Sequence, residues 1–346
     1  MNFQLVVNME RHSPTTDMTA VAAHTLDMVR MADAGGFESV WAAEHHSTQT
    51  YVAPNPFQIL TWWAAHTSRI RLGAAVVVAP FWHPIKVAEE SALLDLYSGG
   101  RMDLGFGAGA LQREFDRLAP GVEQSAGRDY IAEMLPAVKA LWAGDHEHDG
   151  ELWSFPSACS VPTPVQTPHP PVWMAARSPD SFELAAKHGC NVMTWAMTRP
   201  FSEVETYLTH FETALQNNPR DVRPLLATMR HVAVVERDAE IDEVVAALHR
   251  QLARLDHLRR NVGGVKRGFV DPLDVASIKN REEFARDELV HNLMFGAPER
   301  IVEKLERYRD LGIDRFTYCA SFGLDPGRET RSLELFIEEV MPHFSG

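Results

Sequence analysis

The sequence predicts one eight-stranded parallel β/α barrel, on three observations. Short apolar runs suited to buried strands recur eight times along the chain. Helical patterns with clear stop signals separate them. No low-complexity tract or further repeat divides the 346 residues into parts, a length that barrels of this kind reach as one unit.

The runs are 3–8, 37–42, 70–78, 101–107, 170–175, 190–195, 225–235 and 315–320. They are rich in β-branched and aromatic residues and continuous rather than alternating, as strands covered on both faces by helices should be. Between the first two, Val21, Leu26, Val29 and Met31 lie on a helix stopped by Gly35-Gly36. The stretch from Pro84 to Tyr97 stops likewise at Gly99-Gly100. Ser178 before Pro179 reads as an N-cap with proline in the first helical position. Two stretches break the rhythm. Residues 144–171, rich in Pro, His and Gly, form an irregular excursion. Residues 257–291 carry Gly263, Gly264 and Gly268 among Arg259, Arg260, Lys266 and Arg267, and a long basic insertion of this kind reads as a lid.

Composition narrows the function. The chain carries 33 basic against 47 acidic residues, a formal charge of -14, which disfavours nucleic acid and anionic membranes as partners. Cys159, Cys190 and Cys319 are widely spaced and form no disulfide framework, as expected in a reducing compartment. The first residues lack the pattern of a secretory signal, and no apolar run approaches the roughly 20 residues needed to span a bilayer. A soluble cytoplasmic protein is the expectation.

Barrel enzymes carry their chemistry at the C-terminal ends of the strands. Glu44-His45-His46 lies just past the second run. A carboxylate beside imidazoles can fix a tautomer for proton transfer. The same residues with His83 could instead ligate a metal, or form a structural hydrogen-bond cluster. Gly105 to Ala110 satisfies G-x-G-x-x-A, a nominal dinucleotide fingerprint, but it ends the fourth strand rather than the first. A tight loop with close backbone approach is the better reading. Arg177, Ser178 and Ser181 open a helix and could hold a phosphate, whereas plain N-capping by Ser178 is the competing reading. Asp180 opposes an anion unless it points outward.

In order and spacing, these segments resemble the bacterial luciferase family of flavin monooxygenases. The resemblance rests on FESVWAAEHHS (37–47), Asn55-Pro56, the stretch 69–109, WMAARSPDSFELAAKHG (173–189) and Met341-Pro342. It implies reduced FMN as cofactor and O2 as co-substrate. With no nicotinamide-binding segment in the chain, it implies a separate NAD(P)H flavin reductase and a homodimer or heterodimer. His45 corresponds to the family's catalytic imidazole, oriented by Glu44, with His46 and His83 lining the same pocket and no metal. Ala75 and Val76 correspond to a bulge with an unusual cis peptide beneath the flavin. Gly107, Ala176, Arg177, Ser178 and Ser181 fall at cofactor contacts, and Trp195 falls near the ring. Gly107 and Ala108 stand where luciferase has a cysteine and a phosphate-binding arginine, which counts against light emission. Phosphate charge must then come from Arg177, Arg113 or Arg128. Phe57, Trp62, Trp63, Phe81, Trp82 and Phe106 suggest an apolar carbonyl substrate. Two alternatives stay open: a deazaflavin-dependent hydride-transfer enzyme, and a catalytically silent flavin-binding or dimer-partner subunit.

Overall fold

The computed structural model describes residues 1–261, 263–271 and 274–344. All eight expected runs become barrel strands, and a ninth short strand joins them. They are β1 (Asn2–Val6), β2 (Ser39–Ala42), β3 (Arg71–Val78), β4 (Met102–Gly107), β5 (Val172–Ala175), β6 (Asn191–Trp195), β7 (Leu226–Val234), β8 (Met294–Gly296) and β9 (Arg315–Cys319). Every ladder among them is parallel. β1 to β7 pair in sequence order, β7 pairs with β9, and β9 closes back on β1. β8, with three residues, pairs only with the far end of β7, through Met294 and Val232. Such a segment is too short to leave a strand signal.

Side chains fill the barrel. Trp41 on β2 and Trp173 on β5 meet edge to face at 5.3 Å, with Ala227, Val6, Ala75 and Met193 around them. Gly73 is required here, because a Cβ on it would stand 2.0 Å from the Trp41 ring. This cluster also fixes the inward phase: odd-numbered residues of β5, β6 and β7 face the lumen. Phe106 belongs instead to the outer layer between strands and helices, as do Phe57 and Trp63. Trp62 is exposed. Four of the six expected mouth aromatics are therefore displaced from it.

The segment 257–291 divides in two, which corrects its reading as one lid. Val265–Lys266 and Phe269–Val270 form an antiparallel hairpin. The helices Val275–Lys279 and Arg286–Asn292 pack on the long helix Ile241–Arg259. There Ile278, Leu289 and Val290 join Leu248, Leu252, Phe295 and Phe322 in a second buried cluster. The hairpin lies over the loop that follows β2, where Gln49 meets Arg267 and Gly268. Val262, Pro272 and Leu273 lie outside the described residues.

Candidate active site at the mouth of the barrel

Past β2 the chain runs extended, so Glu44 and His46 point one way and His45 the other. Glu44 is 3% exposed and collects three donors. It accepts the Val78 N–H at 2.7 Å and the Trp82 indole N–H at 2.9 Å, and it contacts His46 Nε2 at 2.8 Å. The expected Glu44–His45 contact is absent. His45 Nδ1 lies instead 3.1 Å from Oε1 of Glu114, a carboxylate 2% exposed on the helix Gln112–Leu118. The same oxygen accepts the His46 backbone N–H at 2.7 Å. The His45 ring stacks on Tyr51 at 5.3 Å. Its remaining nitrogen, Nε2, takes part in neither contact. Phe81 and Phe115, with rings 5.0 Å apart, add an apolar wall beside His46.

His83 enters none of these contacts. It caps the helix Pro84–Ser98, its Nδ1 accepting the Ile85 N–H at 3.3 Å. Its ring lies against Phe155. Burial and the neighbouring His148 hold its pKa below the ordinary value. His148 in turn reaches Glu133 at 3.1 Å, in the hairpin of His146–Asp149 and Ser154–Ala158.

The Ala75–Val76 peptide is cis, and the β3–β4 register slips between Ala74 and Val77. The glycines of β4 fit this bulge. A Cβ on Gly107 would stand 2.1 Å from Val76 Cγ2, and one on Gly105 would stand 2.2 Å from the Ala74 carbonyl oxygen. The loop is a close-approach device, as its position on the fourth strand implies. Trp195 points inward from β6, and its indole nitrogen is buried without a partner. His231, inward on β7, meets the Trp195 ring at 5.6 Å, and its Nδ1 is also unpartnered. Burial and the adjacent Arg230 push His231 down to about 3, so it is a neutral imidazole. Sequence reasoning missed it, because a lone histidine in an apolar strand carries no signal of its own.

At the helix Pro179–Lys187, Ser178 occupies the N-cap position but its hydroxyl makes no capping bond. It faces the Ser181 hydroxyl at 3.0 Å. Asp180 turns away to Arg128 at 2.9 Å. The Ala176 N–H is already donated to the Met193 carbonyl, so that amide is not free for a ligand. Arg177 is exposed near the Met197 sulfur. Arg113 is engaged by Asn261 Oδ1 and the Gly263 carbonyl at the base of the hairpin. The hairpin itself is held by Gln49, whose N–H donates to the Gly268 carbonyl at 2.9 Å, and Arg11 lies over Phe269.

A flat heteroaromatic ring with a phosphate tail fits these features. The bulge and glycines of β3 and β4 offer open backbone. Orphaned buried polar atoms on Trp195 and His231 await a polar ring edge. Paired hydroxyls and a helix N-terminus suit a phosphate.

Residues 1–315 match the sequence profile of the luciferase-like monooxygenases. The chain belongs to that family. It is also 36% identical over 347 residues to the oxygenase component of the flavin-dependent trigonelline monooxygenase of Acinetobacter baylyi, covering 100% of this chain and 96% of the relative. This member of the luciferase-like family is thus a flavin-dependent monooxygenase. Two solved structures share its fold at a TM-score of 0.78. One is the oxygenating constituent of 3,6-diketocamphane monooxygenase of Pseudomonas putida in complex with FMN, 20% identical and matched over 99% of this chain and 98% of that one. The other is an F420-dependent secondary alcohol dehydrogenase, 18% identical and matched over 100% and 99%. No described helix is long and apolar enough to cross a membrane.

Proposed function

We propose that the protein is the oxygenase component of a two-component system, using reduced FMN and O2 to insert oxygen into a small apolar carbonyl compound or a related organic substrate. A separate NAD(P)H flavin reductase delivers the reduced cofactor. The observation that carries this reading is the His45–Glu114 pair, which joins the loop after β2 to the helix after β4. The fold accommodates both FMN and deazaflavin chemistries. A relative matched over 96% of its length is the oxygenase component of a flavin-dependent monooxygenase, which favours oxygen insertion over hydride transfer.

Reduced flavin, when bound, supplies the electrons that activate oxygen. The chain's own residues bind, orient and manage protons. The backbone of Ala75 and Val76, with Gly107 behind it, would support the ring. Trp195 Nε1–H and neutral His231 would be available to its polar groups. Ser178 and Ser181 would hold the phosphate. Glu114 fixes His45 through Nδ1 and leaves Nε2 for a proton at the reacting centre. Glu44 aligns the loop after β2 by gathering Val78, Trp82 and His46. Phe81, Phe115 and the hairpin would shield the reacting centre from water. The intact His45–Glu114 pair also argues against a silent subunit. A test supplies reduced FMN, isotopically labelled oxygen and a panel of aromatic and alicyclic carbonyl compounds. One labelled oxygen atom in a product supports the reading, and substrate reduction without label overturns it in favour of hydride transfer.

A further inference from the structure

Glu114 holds one edge of the His45 imidazole but not the plane of its ring. A single contact at Nδ1, across 3.1 Å, leaves the ring free to tilt about that contact. The second constraint acts on a face. Tyr51, 8% exposed, stacks on His45 with ring centroids 5.3 Å apart and planes inclined by 26°. Edge and face together leave Nε2 a single direction in which to point.

Tyr51 is itself anchored. Its loop pairs with the segment after β1, where Arg11 N–H donates to the Gln49 carbonyl at 2.9 Å and Val52 N–H to the Met9 carbonyl at 2.8 Å. Its hydroxyl meets the side-chain amide of Gln251, on the helix Ile241–Arg259. Gln251 is 0% exposed and engaged at both ends. Its Nε2 donates to Glu10 Oε1 at 3.0 Å, and its Oε1 accepts from Arg254 Nη1 at 3.2 Å. Glu10 Oε2 in turn accepts the Gly323 N–H at 2.8 Å, and His12 Nε2 lies 3.5 Å from the same oxygen. A buried amide costs free energy unless its partners are supplied, and a satisfied network holds its members rigidly. An apolar side chain would fill the same space without that demand. Burial, then the charge of Glu10, pushes the phenol pKa up, so an uncharged ring lies against the imidazole.

We propose that Tyr51 is a positioning residue for His45, clamping the face of the imidazole while Gln251 and Glu10 hold the phenol from behind. This rests on the reading of His45 as the group that manages a proton at the reacting centre. The clamp joins the helix after β7 to the helix after β4 through His45, with Gln251 and Glu114 as its two ends.

The test uses three variants. Tyr51→Phe keeps the stacking face and loses the hydroxyl, Tyr51→Leu loses both, and Gln251→Met loses the anchor. The first readout needs neither flavin nor substrate. In protein labelled with 15N-histidine, the His45 Nδ1–H signal, assigned by its absence from His45→Ala, should be sharp in wild type and Tyr51→Phe and broadened in Tyr51→Leu. An equally sharp signal in Tyr51→Leu would overturn the clamp. The second readout is turnover of the best-converted compound of the carbonyl panel. Tyr51→Leu should lower kcat roughly 10–10²-fold, as a misplacement of about 1 Å does, with KM and FMN affinity little changed. Tyr51→Phe should recover most of the rate. Joined to Gln251→Met it should lose no more than either change alone, since both cut one anchor. In the His45→Ala background, Tyr51→Leu should cost nothing further. An added loss there, or a fall in FMN affinity that matches the fall in turnover, would make Tyr51 a wall of the cavity and overturn the proposal. Wild type that oxygenates no compound of the panel would overturn the oxygenase reading, while the Nδ1–H signal would still decide the clamp.

Discussion

His45 is held by Glu114 across 3.1 Å, although Glu44 is its neighbour in the chain. The carboxylate that orients the imidazole therefore comes from the helix after β4, and the contact ties that helix to the loop after β2. We expect His45→Ala to fold normally, to bind FMN within several-fold of wild type, and to lose roughly 10²–10⁴-fold in oxygenation, the usual range for a general acid or base. Wild-type turnover by this variant would remove His45 from the mechanism.

The two carboxylates should separate cleanly. Glu114→Gln should depress oxygenation while flavin binding is retained, because the carboxylate that orients His45 through Nδ1 is lost. Glu44→Gln should act mainly on stability, costing about 2 kcal/mol in denaturant unfolding, since an amide cannot accept all three donors that Glu44 serves. The reverse assignment, oxygenation lost only in Glu44→Gln, would contradict the geometry.

Gly107→Ala tests the cradle. Its Cβ would stand 2.1 Å from Val76 Cγ2, so the bulge must move. Circular dichroism should show a retained barrel, and flavin fluorescence titration should show FMN binding weakened at least ten-fold. Normal affinity would separate the bulge from the cofactor.

The hairpin and the helices behind it should behave differently. Replacing residues 264–270 by a short Gly-Ser link should preserve folding and flavin binding while raising hydrogen peroxide release at the expense of product. Ile278→Ala, in the second buried cluster, should cost about 2–4 kcal/mol of stability instead. A hairpin deletion that unfolds the protein would show that the hairpin is structural.

His231 gives a pH dependence of known sign. Its pKa is pushed from the ordinary 6.5 down to about 3 by burial and Arg230. The unfolded chain then binds a proton that the folded one does not, so stability is full above pH 6.5 and falls as pH drops toward 3. His231→Phe should flatten that fall by up to one proton's slope. An unchanged acid limb would place the acid sensitivity in other groups.

Much of the barrel was legible because strands buried on both faces leave continuous apolar runs, and all eight such runs became strands. β8 was not, since three residues carry no period. The cluster at 44–46 was legible, but its pairing was read from adjacency. In an extended segment neighbours diverge, so Glu44 meets His46 at i+2 and His45 finds an acid 69 residues away. The only sequence signal for Glu114 is an acid opening the helix after the Gly-rich loop. His83 serves as a helix cap, a role that leaves the same sequence trace as a site residue.

The most direct measurement of the central claim is anaerobic loading with reduced FMN or reduced deazaflavin, followed by stopped-flow mixing with oxygen. The account predicts tight binding of reduced FMN, weaker binding of oxidised FMN, and return to the oxidised cofactor in two resolved phases with delayed release of hydrogen peroxide. Reoxidation in one phase at the rate of free flavin, or binding of the deazaflavin alone, would contradict it.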